Sequence, residues 1–429
     1  MGLPPIVAAI VTVVIVTVGT TACQVNDPGP YLRGVTAISV DLGTSCALAD
    51  GKVYCWGDNQ YGQIGDGTTS DRTTPTRIDG LTNPTSVATT GSSTCAIANG
   101  GTAYCWGENL HGQLGDGTTT DRTTPTRVHG LTGVTAIATA PLTTCAIANG
   151  DAYCWGYGEY GQLGDGAAAL YRPTPTRVHG ITDVTAITTG FTTCAIANGG
   201  NAYCWGWNRD HLLGDGTTTD RSAPTRIGNL TDVTAISAGE TMCVAAHGDA
   251  YCWGNNTDGQ IGDGTTTNRT TPTRVHGLTS VTTLSSGSTT CAVAHRQPYC
   301  WGDNTDGQIG DGTTTNRTTP TRVHGLTDTT VPSGGPTSCA IADGNAYCWG
   351  NNTGGQLGDR TTTDRTTPTR VEGLTNVTAI HHDSVTCAIA SGDAFCWGYN
   401  KSGQIGDGTT FNRDRPTRVR APEPDPPES

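Results

Sequence analysis

Polarity along the chain repeats on two scales. Over short stretches, hydrophobic and polar residues alternate or nearly alternate for four to six positions. In one unit these stretches are TSVAT (85–89), TCAIA (94–98), TAYCWG (102–107) and PTRV (125–128), each bounded by Gly, Asn, Asp or Pro. A period of two over such lengths predicts short strands, and the bounding residues predict turns. On the longer scale the whole set recurs: the Trp of Cys-Trp-Gly stands at 56, 106, 155, 205, 253, 301, 349 and 397, so successive units are 50, 49, 50, 48, 48, 48 and 48 residues apart. Four strands per unit, repeated eight times, predicts an all-β propeller of about eight four-stranded blades over residues 35–420. A linear β-solenoid is the alternative, but it would show shorter coils and distinct caps. The array opens at VTAIS (35–39) with no PTRV before it and ends at PTRV (416–419) with no VTAI after it. The last strand can therefore complete the first blade, closing the ring by pairing of the terminal strands and removing a sheet edge.

Each unit carries two cysteines around a turn. In CAIANGDAYCWG (145–156), a two-residue turn at Asn149-Gly150 places Cys145 opposite Cys154 at a non-hydrogen-bonded pair, where opposed Cα atoms lie roughly 4.5 Å apart, within reach of a disulfide. The same count pairs Cys46 with Cys55, Cys243 with Cys252, Cys291 with Cys300, Cys339 with Cys348, and Cys387 with Cys396. Cys95 with Cys105 and Cys194 with Cys204 are one residue longer, and their Asn-Gly-Gly loops suit a three-residue turn with a bulge. Free buried thiols and metal ligation are the alternatives. Zinc knuckles space their cysteines more closely, and the repeat offers no further ligands.

The two ends change the picture of where the chain works. Residues 3–22 carry no charge and hold an apolar run from Ile6 to Val18, which reads as a signal peptide (1–22) or a retained membrane anchor. Cys23 is the odd cysteine, at the head of a linker (23–34), and Thr-Thr-Ala-Cys resembles a lipobox in which that Cys is lipidated, although Thr20 stands where a bulky aliphatic residue is usual. Each version exports residues beyond the linker to an oxidising, extracellular or cell-surface location in a bacterial envelope, where disulfides persist. The Pro-rich acidic end (421–429) reads as a disordered tail. A net charge of −13, with Lys52 and Lys401 the only lysines, argues against tracking nucleic acid, and membrane contact is expected only through the N-terminal lipid or anchor.

The unit GxAYCWGxNxxGQLGDGT…PTRV resembles the repeat of the regulator of chromosome condensation family, which includes bacterial secreted members such as a propeller-shaped β-lactamase inhibitor. The resemblance implies a propeller of four-stranded blades, usually seven; here eight full units stand, so eight blades are expected over seven with a displaced unit. It also implies, through the nuclear namesake, a guanine-nucleotide exchange factor that binds chromatin and uses a blade insertion. No unit here has room for such an insertion.

Residues repeated eight times, such as the Asp after each GQ(L/I)G turn (Asp66, Asp116, Asp165, Asp215, Asp263, Asp311, Asp359 and Asp407), read as scaffolding. DNTDGQIGDG (303–312) hints at a calcium loop, but its spacing fails the EF-hand pattern. His381, His382 and Asp383 offer two metal-ligand types without a third converging partner. Binding residues on repeat scaffolds sit where copies disagree. Units three and four disagree most, and they supply Tyr157, Tyr160, Tyr171, Phe191, Trp207, Arg209 and His211 as candidate partner-binding residues, with drift and local packing as the alternative. The sequence thus points to a non-enzymatic, monomeric propeller that binds a protein or a glycan, with no cofactor, metal or catalytic residue assigned. An exchange-factor-like regulator is the alternative by family resemblance, and a lyase or hydrolase using the propeller channel is a weaker one.

Overall fold

The computed structural model describes residues 31–330 and 332–422. The signal or anchor (1–22), Cys23 and nearly all of the acidic tail lie outside the described residues.

Each repeat folds into one antiparallel blade whose strands pair in chain order. Blade 3, for example, consists of Val134–Thr139, Thr143–Ala148, Asp151–Tyr157 and Tyr171–Arg177. The eight blades span residues 35–78, 86–127, 134–177, 186–226, 233–279, 281–322, 337–370 and 377–418. Among the described residues seven sheets have four strands, and the one over 337–370 has three. There the innermost strand shrinks to a single bridge, Thr329 to Ala342, because Pro332 lacks the N–H that the ladder needs. Eight blades are therefore present, not seven.

The hairpin reading holds in every unit. Cys145 faces Cys154 with Cα atoms 4.1 Å apart, and all eight disulfides form as the spacing predicts. Asn149 and Gly150 take φ of 53° and 81°, the left-handed pair that a type I′ turn requires. The Asn-Gly-Gly loops are three residues long, with Ala98 paired to Thr102, but all three residues have positive φ and the ladder runs on unbroken, so the expected bulge is absent.

Propeller blades need apolar faces on both sides, and here the repeat supplies them. One buried apolar cluster lies between each pair of neighbours, eight in all. The Trp of each Cys-Trp-Gly is fully buried and donates its indole N–H across the gap to a backbone carbonyl of the preceding blade, as Trp155 does to Gln113 at 2.9 Å. The series includes Trp56, which donates to Gln404 O at 2.9 Å, so blade 1 packs on blade 8 and the ring is closed.

Closure does not use the last strand as expected. Arg413–Arg418 pairs with Asp393–Gly398 of its own blade, and blade 1 is completed by its own Arg72–Ile78. The reason is local: an ion pair between Asp407 and Arg413 at 2.5 Å ties the start of the last strand to the loop that precedes it. What pairs across the seam are the flanks, with a bridge between Tyr31 and Arg420 and a bond from Leu32 N to Val419 O of 3.0 Å.

Candidate functional site

One face of the ring is made by the loops that join third to outer strands. In most blades this loop is wound around a buried Asn. Asn304 Nδ2 donates to Thr313 O (3.0 Å) and Thr315 O (3.1 Å), while its Oδ1 accepts from Ile309 N (2.9 Å). An amide donor thus fills the centre of the segment that resembled a calcium loop. Next to it Asp311 accepts from Thr313 Oγ1 at 2.7 Å and from Arg317 Nε at 2.7 Å. Burial pushes this carboxyl up, but the Thr313 and Arg317 donors outweigh it and hold the carboxyl below its ordinary value. Asp66, Asp116, Asp215, Asp263, Asp359 and Asp407 behave likewise.

Blade 3 breaks this pattern in several linked ways. Gly158 replaces the Asn, Ala167 replaces the first loop Thr, and the ion-paired residues Asp165 and Arg172 stand seven apart where Asp116 and Arg122 stand six apart. The lengthened loop closes through Gly158 N to Leu170 O (3.1 Å) and turns Leu170 and Tyr171 outward, 58% and 44% exposed. A Cβ on Gly158 would meet Leu163 Cδ1 at 2.7 Å, so the loop has repacked around the missing Asn. The pin has been exchanged for displayed apolar side chains.

A continuous run of rings spans blades 2 to 4. His111 meets Tyr157 edge-on at 5.3 Å between centroids, Tyr157 meets Tyr160 at 5.8 Å, and Tyr160 meets both Phe191 at 6.0 Å and Trp207 at 4.7 Å. The Arg209 guanidinium lies 4.7 Å over the Trp207 ring. Tyr171 is the cross-strand neighbour of Tyr157, whose hydroxyl donates to Glu159; burial first and Glu159 second raise the Tyr157 pKa. The structure therefore brings together six of the seven candidates. The seventh, His211, stands apart: it is half-buried with φ of 66°, where the sister loops have Gly, and its Nδ1 is buried without a partner among the described residues. Sequence reasoning missed His111 and the exposed Leu110 beside it in blade 2, although both stand at the same variable repeat places as Tyr160 and Glu159.

The same repeat places turn acidic in the next blades. Trp207 Nε1 donates to Asp210 Oδ2 at 3.0 Å, and Asp210, Asp258 and Asp303 surround Glu240, which stands in blade 5 where blade 4 has Phe191. Burial, then Asp258, Asp303 and Asp210, raise the Glu240 carboxyl. Asp306 is raised by burial and by Asp364 and Asp303, against a lowering bond from Asn351. Among the described residues none of Asp210, Glu240, Asp258, Asp303 and Asp306 forms an ion pair: Arg221, Arg269, Arg317 and Arg365 are paired with loop carboxylates, and the Arg209 guanidinium lies over Trp207. Nothing in the sequence singles out these acids as a group, and only the ring curvature gathers them.

A second non-repeated cluster sits at the inner edge of the seam. His382 shares a hydrogen bond with Ser333 Oγ, and Asp383 Oδ2 accepts from Leu42 N at 3.0 Å. Burial lowers His382 to about 4, and burial together with Asp383 raises Asp41 to about 7. Among the described residues no three His, Cys, Asp or Glu side chains converge as a metal site.

The profile of the Regulator of chromosome condensation (RCC1) repeat matches residues 50–97, 100–147, 149–196, 199–246, 247–294, 298–341, 343–388 and 391–425, and a second profile of the same repeat matches 85–113. No curated protein sequence matches the chain. Among solved structures, human WBSCR16 is 19% identical with a TM-score of 0.63, over 77% of this chain and 96% of that one. Yeast RCC1 (Prp20) bound to Kap60 is 20% identical with a TM-score of 0.58, over 74% and 83%. Prp20p from Saccharomyces cerevisiae, described with its binding to Gsp1p and histones, gives 19%, 0.57, 74% and 85%. At these identities the likeness establishes the fold.

Proposed function

The chain belongs to the regulator of chromosome condensation repeat family, and on that premise we propose that it is a non-enzymatic binding propeller, exported and held at or beyond the cell surface. The observation that carries this reading is the run of rings over blades 2 to 4, built where one blade has given up its structural Asn. A protein or glycan partner fits such a surface, since Trp, Tyr and Arg anchor interfaces when their neighbours exclude water. Eight disulfides support an oxidising compartment. The apolar N-terminal run and Cys23 support export with lipidation or anchoring, as in the bacterial exported members of the family, including the β-lactamase inhibitor. The reading takes the chain as a monomer that binds no nucleic acid and needs no cofactor.

The experiment is affinity capture from the surface fraction of the host, comparing the wild type with Trp207→Ala plus Tyr160→Ala. Loss of the captured species in the variant is expected; equal capture by both forms overturns the assignment of this surface. The second reading, a guanine-nucleotide exchange-like regulator, is favoured by the family and by Prp20p, whose structure was described with Gsp1p binding. It predicts faster nucleotide release from a small GTPase on adding the chain.

A further inference from the structure

Resting on that binding reading, we infer that the ligand is a basic polypeptide segment, laid along the loop face from the aromatic run of blades 2 to 4 onto the acidic arc of blades 4 to 6.

Three independent features meet on this face. The aromatic run passes directly into the arc, because the Trp207 indole is hydrogen-bonded to Asp210, which is itself a neighbour of Glu240. Within the arc, Asp210, Glu240, Asp258, Asp303 and Asp306 stand on the loops of adjacent blades, with Asn316 Nδ2 of blade 6 donating to Asp258 Oδ1 of blade 5 at 3.0 Å, and none of the five forms an ion pair among the described residues, Arg209 lying over the Trp207 ring instead. Such a field attracts cationic partners and raises their association rate. The third feature lies just below. Gln162 and Gln260 are fully buried at the repeated Gln of this face, and each has a side-chain NH2 without a protein partner among the described residues. In blades 1 and 6 that NH2 is satisfied: Gln63 Nε2 donates to Gly91 O at 3.0 Å, and Gln308 Nε2 donates to Asp303 Oδ2 at 2.9 Å. One orphan donor lies in blade 3 beneath the rings, where Gln162 Oε1 accepts from Tyr160 N. The other lies in blade 5 within the arc, where Gln260 Oε1 accepts from Asp258 N. An unsatisfied buried donor calls for an acceptor.

A basic polypeptide supplies every complement at once. Its Lys and Arg side chains meet the arc, its apolar and guanidinium groups meet the rings, and a backbone carbonyl that displaces the groups covering Gln162 or Gln260 supplies the acceptor that each donor lacks. A neutral glycan answers the rings but leaves the arc uncompensated.

The test is isothermal titration of the full-length chain with three probes: a twelve-residue Arg/Leu peptide, its Glu/Leu counterpart, and a neutral chito-oligosaccharide. The Arg/Leu peptide should bind, the Glu/Leu peptide should not, and raising the salt from 20 to 300 mM should weaken binding at least tenfold. Asp258→Asn plus Asp303→Asn should weaken it about tenfold, whereas Asp79→Asn plus Glu372→Gln, an equal change of charge in the loops after outer strands, should leave it within twofold. Equal losses in the two double variants would reduce the effect to net charge and overturn the inference. So would tighter binding of the oligosaccharide than of the Arg/Leu peptide. If Trp207→Ala plus Tyr160→Ala binds the peptide unchanged while the arc variant does not, the aromatic reading has failed and the acidic arc stands.

Discussion

Single residues set how closely the blades approach. The Gly that ends each GQ(L/I)G turn lies under the Trp of the next blade: at Gly115, with φ of 72°, an added Cβ would sit 2.6 Å from Trp155 Nε1. Left-handed strain and overpacking then act together, so Gly115→Ala should cost about 2–4 kcal/mol in denaturant unfolding. The opposite change is available in blade 6. Its hairpin turn is His295-Arg296 with φ of 51° and 64°, where sister turns have Gly second. Arg296→Gly should stabilise the protein by about 1 kcal/mol, since the ion pair of Arg296 with Asp328 is exposed and worth little. A lower unfolding midpoint for the Gly variant would show that the turn is not strained.

At the level of the element, the hairpin and the pinned loop are each self-contained. Pairing, turn and disulfide agree within a dozen residues, which is why the cysteine partners could be read from spacing alone. All sixteen paired cysteines are at most 2% exposed in the fold. Thiol reductant should therefore leave them unlabelled by an alkylating reagent until denaturant unfolds the ring, and the oxidised chain should weigh sixteen hydrogens less than the reduced one. Labelling under native conditions would mean that single hairpins open on their own. The loop was less legible. Its Asn, Asp and Thr looked like generic turn formers or a cation site, because nothing local says that an amide fills the centre. The lengthening of the blade 3 loop could be counted in the sequence, but not the outward turn of Leu170 and Tyr171.

Across the whole molecule the inner strands of blades 1 and 8 carry ionisable groups shifted by burial, Asp41 buried and His382 half-buried. Asp41 titrates near 7 in the fold against 3.8 for its ordinary value, so the native state holds its proton more tightly and stability falls as pH rises from about 4 to 7. His382 works in the other sense: lowered to about 4 from 6.5, it contributes stability above 6.5 that is lost as pH falls towards 4. The two oppose each other in the wild type. Asp41→Asn should unmask a stability that rises with pH between 4 and 6.5, and His382→Gln one that falls between 4 and 7, the Asp41 effect being on the order of 3 kcal/mol. Thermal denaturation of both variants across that range checks it, and slopes of the same sign would refute the assignment. Below about pH 4 both should lose stability as the loop carboxylates, held low by their Thr and Arg partners, take up protons.

What the sequence determined by itself is most of what repeats and what is local: eight units, four strands in each but the seventh, sixteen cysteines in eight hairpins, and the two units where the copies disagree. Period-two polarity, Asn-Gly turns and fixed spacings act over a few residues, so they survive without a third dimension. Tertiary structure decided what depends on neighbouring blades. It closed the ring by packing Trp56 against blade 8, with no strand exchanged between the two blades. It joined His111 to the rings of blades 3 and 4 and set His211 aside in a strained, half-buried place. It also gathered acids some 48 residues apart in sequence, from Asp210 to Asp306, into one arc. Residues at the same repeat place become neighbours only when the blades are set side by side around one axis, and no short-range pattern in the chain encodes that distance.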